Sequence, residues 1–278
     1  MKSILLPTDF SNNALSAIQY AIKLYAQENC TFYIFHAWSF PTDSNRATIT
    51  SHYVEEMKEA SEKKLSAYKD QIAQSHKNAQ HTFRAIHTDT SLLNGIEASI
   101  NQHNIDLIVM GTKGATGAKE LFFGSNTIKV VKNTKRCDVL IIPDNYQFEP
   151  LQQIAFPTDF TRSFDNDIAP LKKTSALDDT TIQILHIGDE QSLHIEQLNN
   201  LNSLKRLLHP IETDINYVEA TAKKRMLIGS FIEDFNIDML VMIVYKHNFI
   251  ENLINEPVVS KLGSKAAVPF YIIKSKNE

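Results

Sequence analysis

The chain has 278 residues, 43% of them hydrophobic and 22% charged. That balance suits two globular domains with real cores and excludes a disordered, collagen-like or mucin-like chain. The net charge is −4, split as +1 over residues 1–148 and −5 over 149–278, so neither half carries the basic excess of a general nucleic-acid binder.

The elements alternate between strand and helix. Ile4–Pro7 reads as a short apolar strand. Thr8-Asp9-Phe10-Ser11 supplies cap residues, and Ala14, Leu15, Ile18, Ala21, Ile22 and Tyr25 keep helical spacing. Thr31–Ala37 is the next strand, and Ser51–Gln74 fits a long helix. Strand His81–Ile86, helix Ser91–Gln102, strand Asp106–Met110, helix Ser125–Asn133 and strand Val139–Ile142 follow. The second half repeats the pattern, with strands at Ile154–Phe156, Thr181–Ile187, Asp214–Val218, Met239–Val244 and Pro269–Ile273. Continuous apolar strands joined by helices imply a parallel sheet covered on both faces, and right-handed crossovers make each half doubly wound.

The halves are copies. Pro7-Thr8-Asp9-Phe10 recurs as Pro157-Thr158-Asp159-Phe160, and Phe35-His36 lines up with Leu185-His186. Asn104-Ile105-Asp106-Leu107 recurs as Asn236-Ile237-Asp238-Met239, and Asp138–Ile142 matches Pro269–Ile273. Four anchors in one order mark a tandem duplication, its seam near Asn145–Leu151. The expected architecture is α/β, with two tandem doubly wound domains at 1–147 and 148–278. Each is a five-stranded, mainly parallel Rossmann-like sheet with helices on both faces.

The chain has only eight glycines, and four of them (Gly111, Gly114, Gly117 and Gly124) fall within residues 111–124. This window opens at the carboxyl end of a strand and closes on a Ser125-Asn126 helix start. Ligands of open α/β sheets bind beyond the carboxyl ends of strands. Glycines there let the backbone approach a ligand, and a helix start offers free N–H groups and the positive dipole end. Ser125 adds a hydroxyl and Lys113 a charge, so the chemistry suggested is phosphate cradling. The spacing is neither a Walker loop nor a dinucleotide G-x-G-x-x-G, and a merely flexible loop is the competing reading.

Gly111, Gly114, Gly124 and Ser125 match G-x2-G-x9-G-[ST], the nucleotide-binding pattern of the universal stress proteins. Ile4–Ser11, His36, Asp106–Gly111 and Asp138–Pro143 resemble the same family, whose fold is of the adenine nucleotide alpha hydrolase type. The resemblance implies ATP at the strand ends of the first domain. Asp9, after Pro7 and Thr8, would face the adenosine, and the Ala37 backbone would meet the adenine edge. Met110 would border the nucleotide, while Gly111, Gly114, Gly124, Ser125 and the Asn126 backbone would hold ribose and phosphates. Asn126 is a mild departure from a family position that is often small or apolar. Asp9 or Asp106 is a candidate for Mg²⁺ carried with ATP, although Asp106, inside an expected strand, reads first as a capping or pairing residue.

The second copy departs from the pattern. Ile243 stands for Gly111, Lys246 or His247 falls near Gly114, and Asn255-Glu256 align with Gly124-Ser125. A carboxylate where phosphate should sit repels it, so no ATP is expected there. Asp159 survives, but it serves equally well as a helix cap. The resemblance also implies that the two domains pair through their last strands, Val139–Ile142 and Phe270–Ile273. A further homodimer or protein partner is left open.

His186-Ile187-Gly188-Asp189 and Lys261–Lys265 echo motifs of class I synthetases and nucleotidyltransferases, but the first lies after the second strand instead of the first, and the second precedes the last strand instead of following it. The ten histidines show no metal-binding pair, and no catalytic set is visible. His36 and His186 share a repeat position, and the simplest role for each is a hydrogen-bonded histidine shaping a strand end. The first residues are too short an apolar run for a signal peptide, and no stretch reaches a membrane span's ~18 apolar residues. Cys30 and Cys137 read as buried thiols of a reduced compartment. These features add up to a cytoplasmic, ATP-binding stress-response or regulatory module. A slow ATPase, an ATP-dependent transferase and a nucleotide-independent scaffold are its alternatives.

Overall fold

The computed structural model describes residues 1–39, 50–112, 124–245 and 268–276. In the first half the strands are β1 (Lys2–Pro7), β2 (Cys30–Ala37), β3 (His81–Thr88), β4 (Leu107–Gly111) and β5 (Asp138–Ile142). The helices between them are α1 (Asn12–Leu24), α2 (Ser51–Ser75), α3 (Leu92–His103) and α4 (Ser125–Asn133). In the second half β6 (Gln153–Pro157), β7 (Thr181–Ile187), β8 (Thr213–Val218), β9 (Met239–Val244) and β10 (Phe270–Lys274) alternate with α5 (Ala169–Ser175), α6 (Ile195–Leu208) and α7 (Lys224–Asp234). Several strands begin or end a residue or two beyond their apolar runs. Lys2 and Ser3, for example, pair with Cys30 and Thr31 through the main chain, which is indifferent to the side chain.

The described strands form one ten-stranded sheet in the order β3-β2-β1-β4-β5-β10-β9-β6-β7-β8. Every neighbouring pair is parallel except β5 and β10, which run antiparallel with Phe270 opposite Ile141 and Ile272 opposite Val139. The second half thus repeats the first about a pseudo-two-fold axis at that junction. Each half has its topological switch point where the order reverses, between β1 and β4 and between β6 and β9.

Alternate strand residues feed two apolar layers, one on each face. Ile4, Leu6, Phe32 and Val109 pack with Ile18 of α1, Leu65 of α2 and Leu204 of α6. Leu5, Phe35, Ile108 and Met110 pack with Ile96 of α3, Val130 of α4 and Ile228 of α7. Helix starts follow the cap residues: Ser11, Thr50 and Ser91 each accept from a main-chain N–H in the first turn. Helix α3 stops at Asn104, whose φ of 49° is left-handed, and Asn236 repeats that φ in the second copy.

Side chains lock the junction. The Asp138 carboxylate accepts from the Lys274 main chain at 2.9 Å and from the Tyr271 hydroxyl at 3.4 Å. The Lys274 ammonium donates to the Val131 carbonyl at 2.6 Å. At the opposite edge of the sheet the connection from β5 to β6 packs Tyr146 and Phe148 edge-on against Tyr20, with ring centroids 5.8 and 5.3 Å away.

Candidate functional site

The carboxyl ends of β1 and β4 flank the first switch point. Pro7 closes β1 and is buried, Thr8 is buried, and Asp9 is exposed. The turn is held from within. Thr8 N–H donates to the Phe35 carbonyl at 2.8 Å, the Thr8 hydroxyl accepts from Phe10 N–H at 2.9 Å, and the Asp9 carboxylate accepts from Ser11 N–H at 3.0 Å. Phe10 takes a φ of 64°, a left-handed backbone that bulky residues rarely adopt. Its ring is caged by His36 at 4.7 Å and Tyr68 at 5.3 Å, with the Lys64 ammonium 4.1 Å from its centroid. His36 Nδ1 donates to the Thr8 carbonyl at 2.8 Å, so this histidine shapes the strand end as its simplest role required. Burial pushes the Tyr68 hydroxyl above its usual pKa.

Ala37 ends β2, half-buried, just before Trp38 N–H donates to the Thr88 carbonyl at 2.8 Å. Met110 and Gly111 end β4, both buried. A Cβ on Gly111 would meet the Asn13 side chain, 2.7 Å from its Cγ, so this glycine lets the first turn of α1 close onto β4. Beyond it, Thr112 N–H donates to the Ile142 carbonyl at 3.0 Å, Gly124 N–H donates to the Thr112 carbonyl, and the buried Thr127 hydroxyl donates to the Gly111 carbonyl at 2.9 Å. These bonds tie the end of β4 to the start of α4. Gly124 caps α4 with no side-chain hydrogen bond, while Ser125 and Asn126 are exposed on its first turn. A first turn of that kind presents main-chain N–H groups and the positive end of the helix dipole to an anion. Gly114, Gly117 and Lys113 lie outside the described residues.

The structure therefore brings Pro7, Thr8, Asp9, Met110 and Gly111 to one switch point, with Gly124, Ser125 and Asn126 bonded to the end of β4 and Ala37 one strand away. It removes Asp106 from the group. That carboxylate accepts from Ser3 N–H at 2.8 Å at the opposite, amino edge of the sheet, where it cannot share an ion with Asp9. Among the described residues no three His, Cys, Asp or Glu side chains group closely enough to hold a metal. Sequence reasoning gave no role to Phe10, Asn13 or Thr127. The repeat of Phe10 at Phe160 was the available signal for the first; nothing in the sequence marked the other two.

The second switch point keeps the turn and changes its surroundings. Phe160 has a φ of 57°, His186 Nδ1 donates to the Thr158 carbonyl at 3.1 Å, and the His186 ring stacks on Phe160 at 5.0 Å. Asp159 caps the Thr161 N–H at 3.0 Å. Two amide side chains of α6 grip this turn, Gln197 on the Asp159 carbonyl at 2.8 Å and Asn200 on the Phe160 carbonyl at 2.9 Å. Past β9 stands Tyr245, with the Arg162 guanidinium 4.9 Å from its ring. Burial pushes the Tyr245 hydroxyl up to about 12. Ile243, in the place of Gly111, is buried in the core. The positions aligned with Gly114, Gly124 and Ser125 lie outside the described residues.

The model of the universal stress protein family matches residues 1–143, and the chain belongs to that family. A universal stress protein of Methanocaldococcus jannaschii is 29% identical over 152 residues, 51% of this chain and 81% of that one. A universal stress protein from Archaeoglobus fulgidus has the same fold, with a TM-score of 0.69 at 19% identity over 98% of each chain. A Pseudomonas aeruginosa structure assigned to the family aligns at TM-score 0.60 and 12% identity, over 98% of this chain and 92% of that one. These two likenesses extend over both halves of the sheet. No described helix is long and apolar enough to cross a membrane.

Proposed function

We propose that the chain binds ATP at the β1–β4 switch point and acts in the cytoplasm as a nucleotide-dependent stress-response or regulatory module. The observation that carries this reading is the meeting of the Thr8–Asp9 turn, the Gly111 end of β4 and the uncapped first turn of α4. The proposed roles are those of the family. The adenosine lies toward Asp9 and the Ala37 backbone, with Met110 at its border. Gly111, Gly114, Gly124, Ser125 and the Asn126 main chain hold ribose and phosphates, and Mg²⁺ accompanies the triphosphate. When bound, ATP supplies a polyanion and a hydrolysable anhydride. The chain's own part is to fix the turn, present N–H groups and a hydroxyl, and keep the strand ends dry.

Residues 1–147 and 148–278 are proposed as two domains, the second with a degenerate site. The support is Ile243 in the glycine position and the Arg162–Tyr245 stack beside the second turn. Asp9 is engaged with Ser11 N–H, which favours binding over rapid turnover.

The test is mass spectrometry of nucleotide released from purified protein, with stoichiometry. One nucleotide per chain is expected. Two per chain would overturn the degenerate second domain, and none after ATP soaking would overturn the proposal. Gly124 has a φ of −58°, which any residue adopts, so Gly124→Val keeps the fold. Its side chain takes the space of the phosphate and should weaken ATP by ~10-fold or more, the equivalent of one charge-assisted hydrogen bond.

A further inference from the structure

The pseudo-two-fold axis creates two equivalent grooves beside the β5–β10 junction, one at each edge of the sheet. They have different contents. One groove is filled by the chain itself. There Tyr146 and Phe148 pack on Tyr20, the Ser16 hydroxyl donates to the Tyr146 carbonyl at 3.2 Å, and the Tyr146 hydroxyl reaches the Asp238 carbonyl at 3.5 Å. Tyr20 and Asp238 correspond, through the repeat, to Pro170 and Asp106. Those two residues line the other groove, a cleft of about 850 Å³. A volume of that order suits a small ligand.

The walls of this open cleft come from both halves and carry six cations: Lys2, Lys135, Arg136, Lys173, Lys274 and Lys276. In a chain of net charge −4 that is a local reversal of sign. Two of the six are committed, Lys2 over the Tyr25 ring at 4.2 Å and Lys274 to the Val131 carbonyl. Lys135, Arg136, Lys173 and Lys276 are exposed and have no salt-bridge partner among the described residues. The cleft also holds four carboxylates, yet three are turned onto main-chain donors. Asp106 accepts from Ser3 N–H, Asp138 from Lys274 N–H and Asp167 from Lys276 N–H; these bonds fix the carboxylates without neutralising them, and the six cations still outnumber the four carboxylates.

We infer that this cleft binds a small polyanion carrying two or more phosphate groups, which bridges the two halves. More than one anionic group is required because the uncommitted cations stand on opposite walls. Lys135 and Arg136 precede β5, whereas Lys173 lies on α5 and Lys276 follows β10. A bridging polyanion joins the amino edge of the first half to the carboxyl edge of the second. The site is separate from the proposed ATP cleft, which lies at the carboxyl edge of the first half, and it needs no adenine.

The test is calorimetric titration of the full chain with inorganic tripolyphosphate at about 50 mM salt, where surface charges are weakly screened. One binding event is expected, retained in Gly124→Val. It should weaken about ten-fold or more in a K135A/R136A/K173A/K276A variant. Circular dichroism should show that the variant is folded, because all four side chains are exposed. Removing Lys63 and Lys205, exposed lysines of α2 and α6 remote from the cleft, should leave the binding unchanged. No heat up to about 1 mM ligand would overturn the inference. So would binding that survives the four-alanine variant, disappears in Gly124→Val, or falls equally in the remote-lysine control. Because the probe contains no nucleotide, failure of the ATP reading leaves this result interpretable.

Discussion

The turns after β1 and β6 make the same bonds, yet the elements that follow them differ. In each, a left-handed phenylalanine packs its ring against a histidine that donates to the threonine carbonyl, tilted in the first and stacked in the second, and the aspartate caps the next turn. After the first turn, α1 begins at once and runs for 13 residues, with Asn13 seated on Gly111. After the second, α5 begins only at Ala169 and runs for 7. The intervening residues turn back on themselves, with the Ser163 hydroxyl on the Asp165 carboxylate at 2.6 Å. Phe164 falls where Ala14 would be, buried and 6.0 Å from Phe156, and Ile243 carries a buried side chain at the position where Gly111 makes room for Asn13. The Pro-Thr-Asp-Phe turn is therefore a structural device common to both halves. What separates them is whether the far side of the switch point admits a main chain or is filled with side chains.

Swapping the deciding residue breaks the comparison most strongly. Ile243→Gly removes a buried side chain and leaves a cavity, and should cost about 2–5 kcal/mol in denaturant unfolding. It should not create a second nucleotide site, because the short α5 and the Arg162–Tyr245 stack remain. The reverse swap, Gly111→Ile, drives a side chain into Asn13. It should cost about 1–3 kcal/mol and weaken the proposed nucleotide binding at the same time. A variant as stable as the parent would show that α1 can move away from β4.

The next effect is one of pH at the junction. Burial pushes the Asp138 carboxyl up to about 6 from an ordinary 3.8, only partly offset by its bond from Lys274 N–H. The folded state then holds a proton that the unfolded state has lost between pH 4 and 6. Stability contributed by this group is full below pH 4 and falls as pH rises through 6, by about 3 kcal/mol at most. Asp138→Asn removes the titration, so the difference between parent and variant should change by one proton's slope across that window. A parallel pair of curves would sink the assignment. The smallest effect belongs to Lys64→Ala, which removes the cation over Phe10 and should cost less than about 1 kcal/mol.

Much of this was legible in the sequence. Apolar runs located each strand to within a residue or two, and Ser125 marked the start of α4. The repeat, with the family resemblance, pointed to the strands that pair at the junction. The shortening of α5 was also written there, in Pro170 and in Phe164 at the place of Ala14, but its meaning required knowing what packs against β9. Gly111 was singled out for ligand approach, whereas its described neighbour is Asn13, a contact between segments almost a hundred residues apart. Asp106 fell in the right motif at the wrong edge of the sheet. The open cleft was invisible for a similar reason: its cations come from separate segments that only the antiparallel junction brings together.

The β5–β10 junction has a consequence for dilution. Two subunits joined through such strands obey mass action and part as their concentration falls. Here the partners share one chain, so pairing is intramolecular, with an effective concentration that solvent volume does not change. The strand edge that would recruit another copy is already occupied by Phe270–Lys274. Each molecule therefore carries a fixed complement of one first half and one second half.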